Sequence, residues 1–226
     1  MSGGIMLLVR RAAYGLPATS PAARITRTRG VKIHYLGTRY DSRSHDRCDD
    51  YVRGIRASHL ANKKEGYVDI AYSAVVCEHG TVYEGRGPHR KTGANGNSTL
   101  NGAHYAVCAL LGSSGLTTPP TAMLGGLRDA IDWLRDAGDA GHEIRGHKDG
   151  HATACPGAAL YAWVKNGAPR PTADGGTYTV REGDTLWAIA AAQLGDGTRW
   201  KEISTLNRLR RPDDLTPGQK IKLPKK

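Results

Sequence analysis

Val31-Lys32-Ile33-His34-Tyr35-Leu36 alternates apolar and polar side chains and is rich in β-branched and aromatic residues, the pattern of a strand. Ile70 to Cys77 predicts a second strand, and Glu78-His79-Gly80 turns it into Thr81-Val82-Tyr83-Glu84, a hairpin. His104 to Leu111 predicts a third core strand, and Glu143-Ile144-Arg145 a short fourth. Elsewhere the period lengthens to that of a helix. Cys48, Val52, Ile55 and His59 form one stripe that stops at Gly66. Leu124, Leu127, Ile131 and Leu134 form another, opened by Thr118-Pro119-Pro120 and closed at Gly138. Pro156 predicts the start of a helix through Trp163 and Val164. Residues 38–47 predict a loop, and the Gly/Asn-rich residues 85–102 a second one, long enough to suggest function. Strands and helices mixed in this order predict an α/β fold with a central mixed sheet flanked by helices.

Gly167 to Gly176 is a run of Pro, Gly and Ala with the character of a linker. It divides the chain into residues 1–166, the linker 167–176 and residues 177–226. In the last segment Thr177-Tyr-Thr-Val-Arg181 predicts a strand, and Asp184 caps a helix carrying Leu186, Ile189 and Ala190. A second helix follows around Trp200, Ile203 and Leu206, and Lys220 to Pro224 closes with a strand. That is a βααβ module of about fifty residues, unlike anything in the first segment.

Charge narrows the partners. The 226 residues carry a net +11, with 22 basic against 15 acidic side chains up to residue 176 and 10 against 6 beyond it. Such a balance suits an anionic partner: nucleic acid, an acidic membrane surface or an anionic cell wall. No nucleic-acid motif accompanies it, so nucleic acid is not expected. The apolar run Ile5-Met6-Leu7-Leu8-Val9 closes at Arg10-Arg11, too short for the core of a signal peptide, and no stretch approaches the roughly 20 residues of a membrane span. The expectation is a protein made in the cytoplasm without an export signal and not inserted in a membrane. Cys48, Cys77, Cys108 and Cys155 are widely spread. Cys77 and Cys108 sit in apolar runs and read as buried thiols.

Chemistry concentrates in Gly146-His147-Lys148-Asp149-Gly150-His151-Ala152-Thr153-Ala154-Cys155-Pro156-Gly157. His147 and Cys155 are good metal-ligand types, and Gly146, Gly150 and Pro156 predict a loop that can aim both at one ion. Two ligands do not make a site. Among nine histidines, His45, His89, His142 and His151 lie in polar loops, His59 on a helical stripe, His79 at a turn tip and His104 at the start of a strand. His34 differs in sitting on a rigid strand beside an apolar core, which suits a site of fixed geometry.

Four separated motifs then form one order: the strand bearing His34, Asp69-Ile-Ala-Tyr72, Gly80-Thr-Val-Tyr-Glu-Gly-Arg86-Gly, and Gly146-His147 with Thr153-Ala-Cys155-Pro-Gly. Over roughly residues 10–166 this resembles the zinc-dependent N-acetylmuramoyl-L-alanine amidases, which include bacteriophage lysins and the animal peptidoglycan recognition proteins. The resemblance implies one Zn²⁺ per chain held by His34, His147 and Cys155, with the fourth tetrahedral position open for chemistry. It implies that Tyr72 hydrogen-bonds the reacting centre and that Thr153 stands where some members carry lysine and others threonine. Two departures bear on the substrate groove: Tyr35-Leu36-Gly37 after the first histidine, and Pro88 where tryptophan is common.

Tyr178-Thr-Val-Arg-Glu-Gly-Asp184-Thr-Leu186, Trp200-Lys-Glu-Ile203 and Leu215-Thr-Pro-Gly218 resemble a LysM domain over residues 177–224. That resemblance implies a shallow glycan groove with Gly183, Asp184, Thr185 and Leu186 on one side and Leu215, Thr216 and Pro217 on the other. Together the two resemblances imply peptidoglycan as partner and a hydrolase, a phage endolysin released through a holin, cleaving the bond between N-acetylmuramic acid and L-alanine. The alternative is a non-catalytic peptidoglycan-binding or sensing protein. Retention of Cys155 favours the enzyme. Zinc in a purely structural role would need a fourth protein ligand, and the sequence offers no convincing one.

Overall fold

In the computed structural model, Lys32 and His34 face one side of the sheet while Val31 and Ile33 face the other, as their alternation requires. The structure describes residues 6–171, 176–209, 211 and 215–224. Ile5 and four residues of the linker, 172–175, lie outside the described residues. The chain divides into two compact units, Met1–Arg170 and Pro171–Lys226.

The first unit runs β1 (Leu8–Val9), β2 (Thr28–Tyr35), β3 (Arg39–Tyr40), α1 (Cys48–Ala61), β4 (Ala74–Val76), β5 (Val82–Glu84), α2 (Ser98–Ala103), β6 (His104–Ala109), β7 (Ser114–Gly115), α3 (Thr121–Gly138), β8 (Ala140–Gly146) and α4 (Ala158–Lys165). Six strands form one sheet in the order β1-β5-β4-β6-β2-β8, and β3 pairs separately with β7. Neighbours are parallel except the β4–β5 hairpin, so the sheet is mixed.

The two sheet faces bury different cores. Val31, Ile33, Val76, Tyr105, Val107 and Ala109 pack against Met123, Leu127, Ile131 and Leu134 of α3 and Leu160, Trp163 and Val164 of α4. Val75, Tyr83, Cys108 and Leu110 pack on the opposite face against Cys48 and Val52 of α1, with Tyr14, Tyr40 and Ile70. The helix stripes of the sequence are thus the stripes that cover the sheet.

Four expectations need correction. The loop over residues 85–102 contains the start of α2, whose N-cap Asn97 accepts the Leu100 N–H at 2.9 Å. The second strand is only Ala74–Val76, because Ile70 to Ser73 bond as irregular backbone to Arg86, Thr92 and Ala106. β8 is longer than its apolar centre, extended by backbone pairing with β2. In the second unit, β9 (Thr177–Thr179), α5 (Leu186–Leu194), α6 (Trp200–Leu206) and β10 (Lys220–Lys222) keep the βααβ order, with β9 and β10 antiparallel. The cap of α5 there is Thr185, whose hydroxyl accepts the Ala188 N–H at 3.1 Å, and not Asp184.

Candidate metal centre and glycan groove

The parallel pairing of β2 with β8 sets Ile33 opposite Gly146, so the next residues, His34 and His147, leave the carboxyl ends of neighbouring strands side by side. The His147 N–H donates to the Ile33 carbonyl at 3.1 Å, and the two rings lie 4.4 Å apart between centroids. Carboxyl ends of parallel strands are where open α/β sheets place ligands. Gly146 is required here, because a Cβ would sit 2.8 Å from the Tyr161 ring.

The loop returns Cys155 to the same point. Lys148 N–H donates to the Cys155 carbonyl at 3.0 Å, Thr153 Oγ1 accepts the Cys155 N–H at 3.2 Å, and Tyr35 N–H donates to Cys155 Sγ at 3.4 Å. Asp149 clamps the loop: Oδ2 accepts the Gly146 N–H at 2.8 Å and Oδ1 accepts the Tyr161 hydroxyl at 2.7 Å. Lys32, 1% exposed, reaches in to donate to the Asp149 carbonyl at 2.8 Å.

His34, His147 and Cys155 therefore offer ligand atoms that all lie within 4.8 Å of one another. His34 Nδ1 faces Cys155 Sγ at 3.7 Å. His147 Nε2 is buried with no hydrogen-bond partner among the described residues, a cost that a bound cation would remove. Burial, and then the neighbouring His147 ring, hold the His34 imidazole neutral with a pKa down to about 3; burial and then His151 bring His147 to about 4. Neutral imidazoles are the form that ligates. Burial pushes the Cys155 thiol up to about 11, so a cation would have to displace its proton. Two imidazoles and one thiol fit a tetrahedral zinc ion with one position left over.

Tyr72 stands beside the triad, its ring 5.6 Å from that of His34. Burial first, then Cys108 and Cys155, hold its hydroxyl pKa well above 10, so it stays a donor. Two clefts open here. One of about 520 Å³ is lined by Leu36, Arg43, Arg47, Tyr51, His59 and Tyr72, the other of about 810 Å³ by Tyr67, Arg86, Gly96, His147 and His151.

In the second unit, Gly183 takes φ +80° in a turn after Val180, and Gly218 takes φ +86° in the turn that leads back to it. Val180 joins the two turns, accepting the Gly218 N–H at 2.8 Å and donating to the Gln219 carbonyl at 2.9 Å. Asp184 Oδ2 accepts from Arg181 N–H at 2.6 Å and from the Tyr178 hydroxyl at 2.9 Å. Thr185, Thr216 and Pro217 are exposed and Leu215 half-buried. Leu186 departs from its expected place: its side chain is 2% exposed in the core with Ile189, Ile203 and Ile221, so only its backbone can border a groove.

The fold of the first unit has close counterparts. It superposes on Drosophila PGRP-LB with a TM-score of 0.61, at 23% identity, over 73% of this chain and 95% of that one. It has the fold of the peptidoglycan recognition proteins. Residues 178–224 match the LysM domain profile. Among curated proteins, the chain is 34% identical over 102 residues to the protein YqbP of Bacillus subtilis, covering 40% of this chain and 45% of that one. It is 35% identical over 123 residues to the pig N-acetylmuramoyl-L-alanine amidase, covering 52% of this chain and 19% of that one. The chain spans about half the length of the first curated relatives it matches, 45%, 51% and 61%.

Within this recognition-protein fold, sequence reasoning missed three residues at the centre. Asn95 is fully buried and lies 2.9 Å from His34 Nε2. His151, read as loop chemistry, stacks on His147 at 4.9 Å and 7° between planes. Asp149, given no part in the sequence analysis, is the clamp described above. Among the other histidines, His59 is used in packing: its Nδ1 accepts the Ala71 N–H at 3.0 Å. Asn95 carried a weak signal, a polar residue inside a glycine-rich loop already suspected of function.

Proposed function

We propose that the protein is a zinc-dependent peptidoglycan hydrolase that cleaves the amide between the lactyl group of N-acetylmuramic acid and L-alanine, with its LysM domain, residues 177–226, holding it on the wall. The observation that carries this reading is the convergence of His34 Nδ1, the unpartnered His147 Nε2 and Cys155 Sγ at the carboxyl ends of β2 and β8, with the Tyr72 ring 5.6 Å from that of His34. Its kinship to a named amidase adds to the support.

His34, His147 and Cys155 would hold the ion, and Thr153 and Asp149 would keep the ligand loop in place. Zinc, when bound there, supplies Lewis acidity and lowers the pKa of a bound water to about 7. Tyr72 keeps its proton and donates it as a hydrogen bond to the oxygen on which negative charge develops, a contribution typically worth about 10²–10³ in rate. Thr153 Oγ1 is engaged with the Cys155 N–H, so we assign it a positioning part only. The LysM domain raises the local concentration of the hydrolase at an insoluble polymer. Its glycan contacts are assigned to the turns holding Gly183, Asp184 and Thr185 and holding Leu215, Thr216 and Pro217, with Leu186 contributing backbone.

The decisive experiment incubates the purified, zinc-loaded protein with cell walls and analyses the products. New N-terminal alanine without new reducing sugar supports the amidase; no new amine from zinc-loaded protein rules it out and leaves a binding protein. We assign it to phage lysis as an endolysin. Expression in a bacterial host tests that role: lysis that needs a co-expressed holin supports it, and lysis without one speaks for an autolysin.

A further inference from the structure

The α1 face of the sheet carries a second group of soft ligands that the proposed hydrolysis does not use. Cys48 is the first residue of α1, Cys77 follows β4, His45 lies in the turn before α1, and Glu78 and His79 form the tip of the β4–β5 hairpin. Ligand atoms of His45, Cys48 and Cys77 lie within 4.8 Å of one another, and so do those of Cys48, Glu78 and His79. Both cysteines are fully buried free thiols. The His45 and His79 rings meet edge to face at 5.3 Å. β4 is two strands from β2, roughly 10 Å along the sheet, and this group shares no residue with the His34 triad.

The surroundings are fixed before any ligand arrives. Glu78 Oε1 accepts the Arg43 N–H at 2.8 Å and the Ser42 hydroxyl at 3.2 Å, and Oε2 accepts the Tyr40 hydroxyl at 2.7 Å. That pins residues 40–43 to the hairpin tip, and it uses up the carboxylate. His79 Nε2 lies 2.9 Å from the Arg43 carbonyl, which can only accept. Nε2 therefore carries the proton, and Nδ1 keeps the lone pair that a metal needs. Backbone carbonyls orient metal-ligating histidines in this way. The Arg43 guanidinium is turned away onto the Tyr51 and Tyr40 rings, at 3.9 and 4.6 Å from their centroids, and the buried Glu78 carboxylate offsets a cation's charge.

We infer that His45, Cys48, Cys77 and His79 form a second, structural metal site selective for a soft divalent ion such as Zn²⁺. Two thiolates and two imidazoles are a closed tetrahedral set for that ion, with no position left for a reacting water. On binding, each S–H bond breaks as an S–metal bond forms, and two protons leave to solvent. The site would tie the start of α1 to the β4–β5 turn. It would thereby fix the wall of the cleft that carries Arg43, Arg47 and Tyr51.

Cobalt tests this, because a thiolate bound to Co²⁺ gives a charge-transfer band that imidazole does not. The full-length, reduced Cys155→Ser protein is titrated with Co²⁺, leaving no thiol in the His34 site. The expected result is that the band survives this substitution and weakens when Cys48→Ser is added, since only the Cys77 thiolate is then left. If the double variant fails to fold, His45→Ala, at an exposed position, serves instead. It should weaken cobalt binding by more than the roughly 10–100-fold of losing an orienting partner. A band that vanishes with Cys155→Ser alone, or that neither Cys48→Ser nor His45→Ala weakens, overturns the site. So does a Cys48–Cys77 disulfide in protein purified with zinc present.

Discussion

Asn95 Oδ1 lies 2.9 Å from His34 Nε2, and that contact decides which nitrogen of His34 can hold a metal. The amide orientation is fixed from behind, since Asn95 Nδ2 donates to the carbonyls of His104 at 2.9 Å and Leu100 at 3.1 Å. Oδ1 must therefore face the imidazole, Nε2 must carry its proton, and Nδ1 is left with the lone pair toward Cys155. Asn95→Leu removes the acceptor. Zinc affinity should fall roughly 10–100-fold, as for other orienting partners. Competition with a chromophoric chelator measures it; unchanged affinity in folded protein would show that Asn95 is only loop structure.

Cys155→Ser should abolish release of N-terminal alanine while leaving wall binding near that of the parent protein, because the LysM domain is untouched. Tyr72→Phe should keep zinc and substrate affinity and lower kcat about 10²–10³-fold, the usual cost of one donor to an oxyanion. A Tyr72→Phe protein with parent kcat would remove Tyr72 from the chemistry. Zinc content of each variant separates lost metal from lost catalysis.

The triad was legible because its members sit in short motifs and because strand alternation gives His34 a definite face. Asn95, His151 and Asp149 were not legible for a different reason. Their roles come from long-range placement: 61 residues separate Asn95 from His34, and no local period reports such a contact. The error at Asp184 is instructive in the same way. Asp184 and Thr185 are both good caps, and the choice between them was made by the Tyr178 hydroxyl and Arg181 N–H, which hold the aspartate outside the helix. The short second strand shows tertiary bonding overriding local propensity.

Asp69 is predicted to control acid stability. Its carboxylate is fully buried, with Arg11 Nη2 at 3.0 Å and Arg56 Nε at 2.6 Å. Burial pushes its pKa up, but hydrogen bonds from Ser20 and Arg56 and the Arg11 charge outweigh it, and the net shift is downward. A folded pKa below the unfolded value of about 3.9 means full stabilisation above that pH, lost as pH falls through the folded pKa. Asp69→Asn leaves Arg11, 1% exposed, without its counter-charge and should cost about 3–5 kcal/mol at neutral pH. Urea unfolding at pH 7 and below pH 4 checks both statements: the gap between parent and variant should narrow in acid. A constant gap would assign acid sensitivity to another group.

Asp184 offers a way to separate gripping the wall from cutting it. Its carboxylate ties Tyr178 on β9 to the turn that carries Gly183 and Thr185, and the same turn borders the one from Leu215 to Gly218 through Val180. Asp184→Ala frees the Tyr178 hydroxyl and the Arg181 N–H, so both sides of the assigned groove lose their fixed spacing. Pull-down with insoluble walls should show weakened binding, and deletion of residues 177–226 should weaken it further. Hydrolysis of a short soluble muropeptide should be unchanged in both proteins, since tethering raises encounter with the polymer and makes no contact with the scissile amide. If Asp184→Ala binds walls like the parent, the two turns are not the glycan groove. If the deletion slows hydrolysis of the soluble substrate equally, the second unit takes part in the chemistry and the division of labour fails.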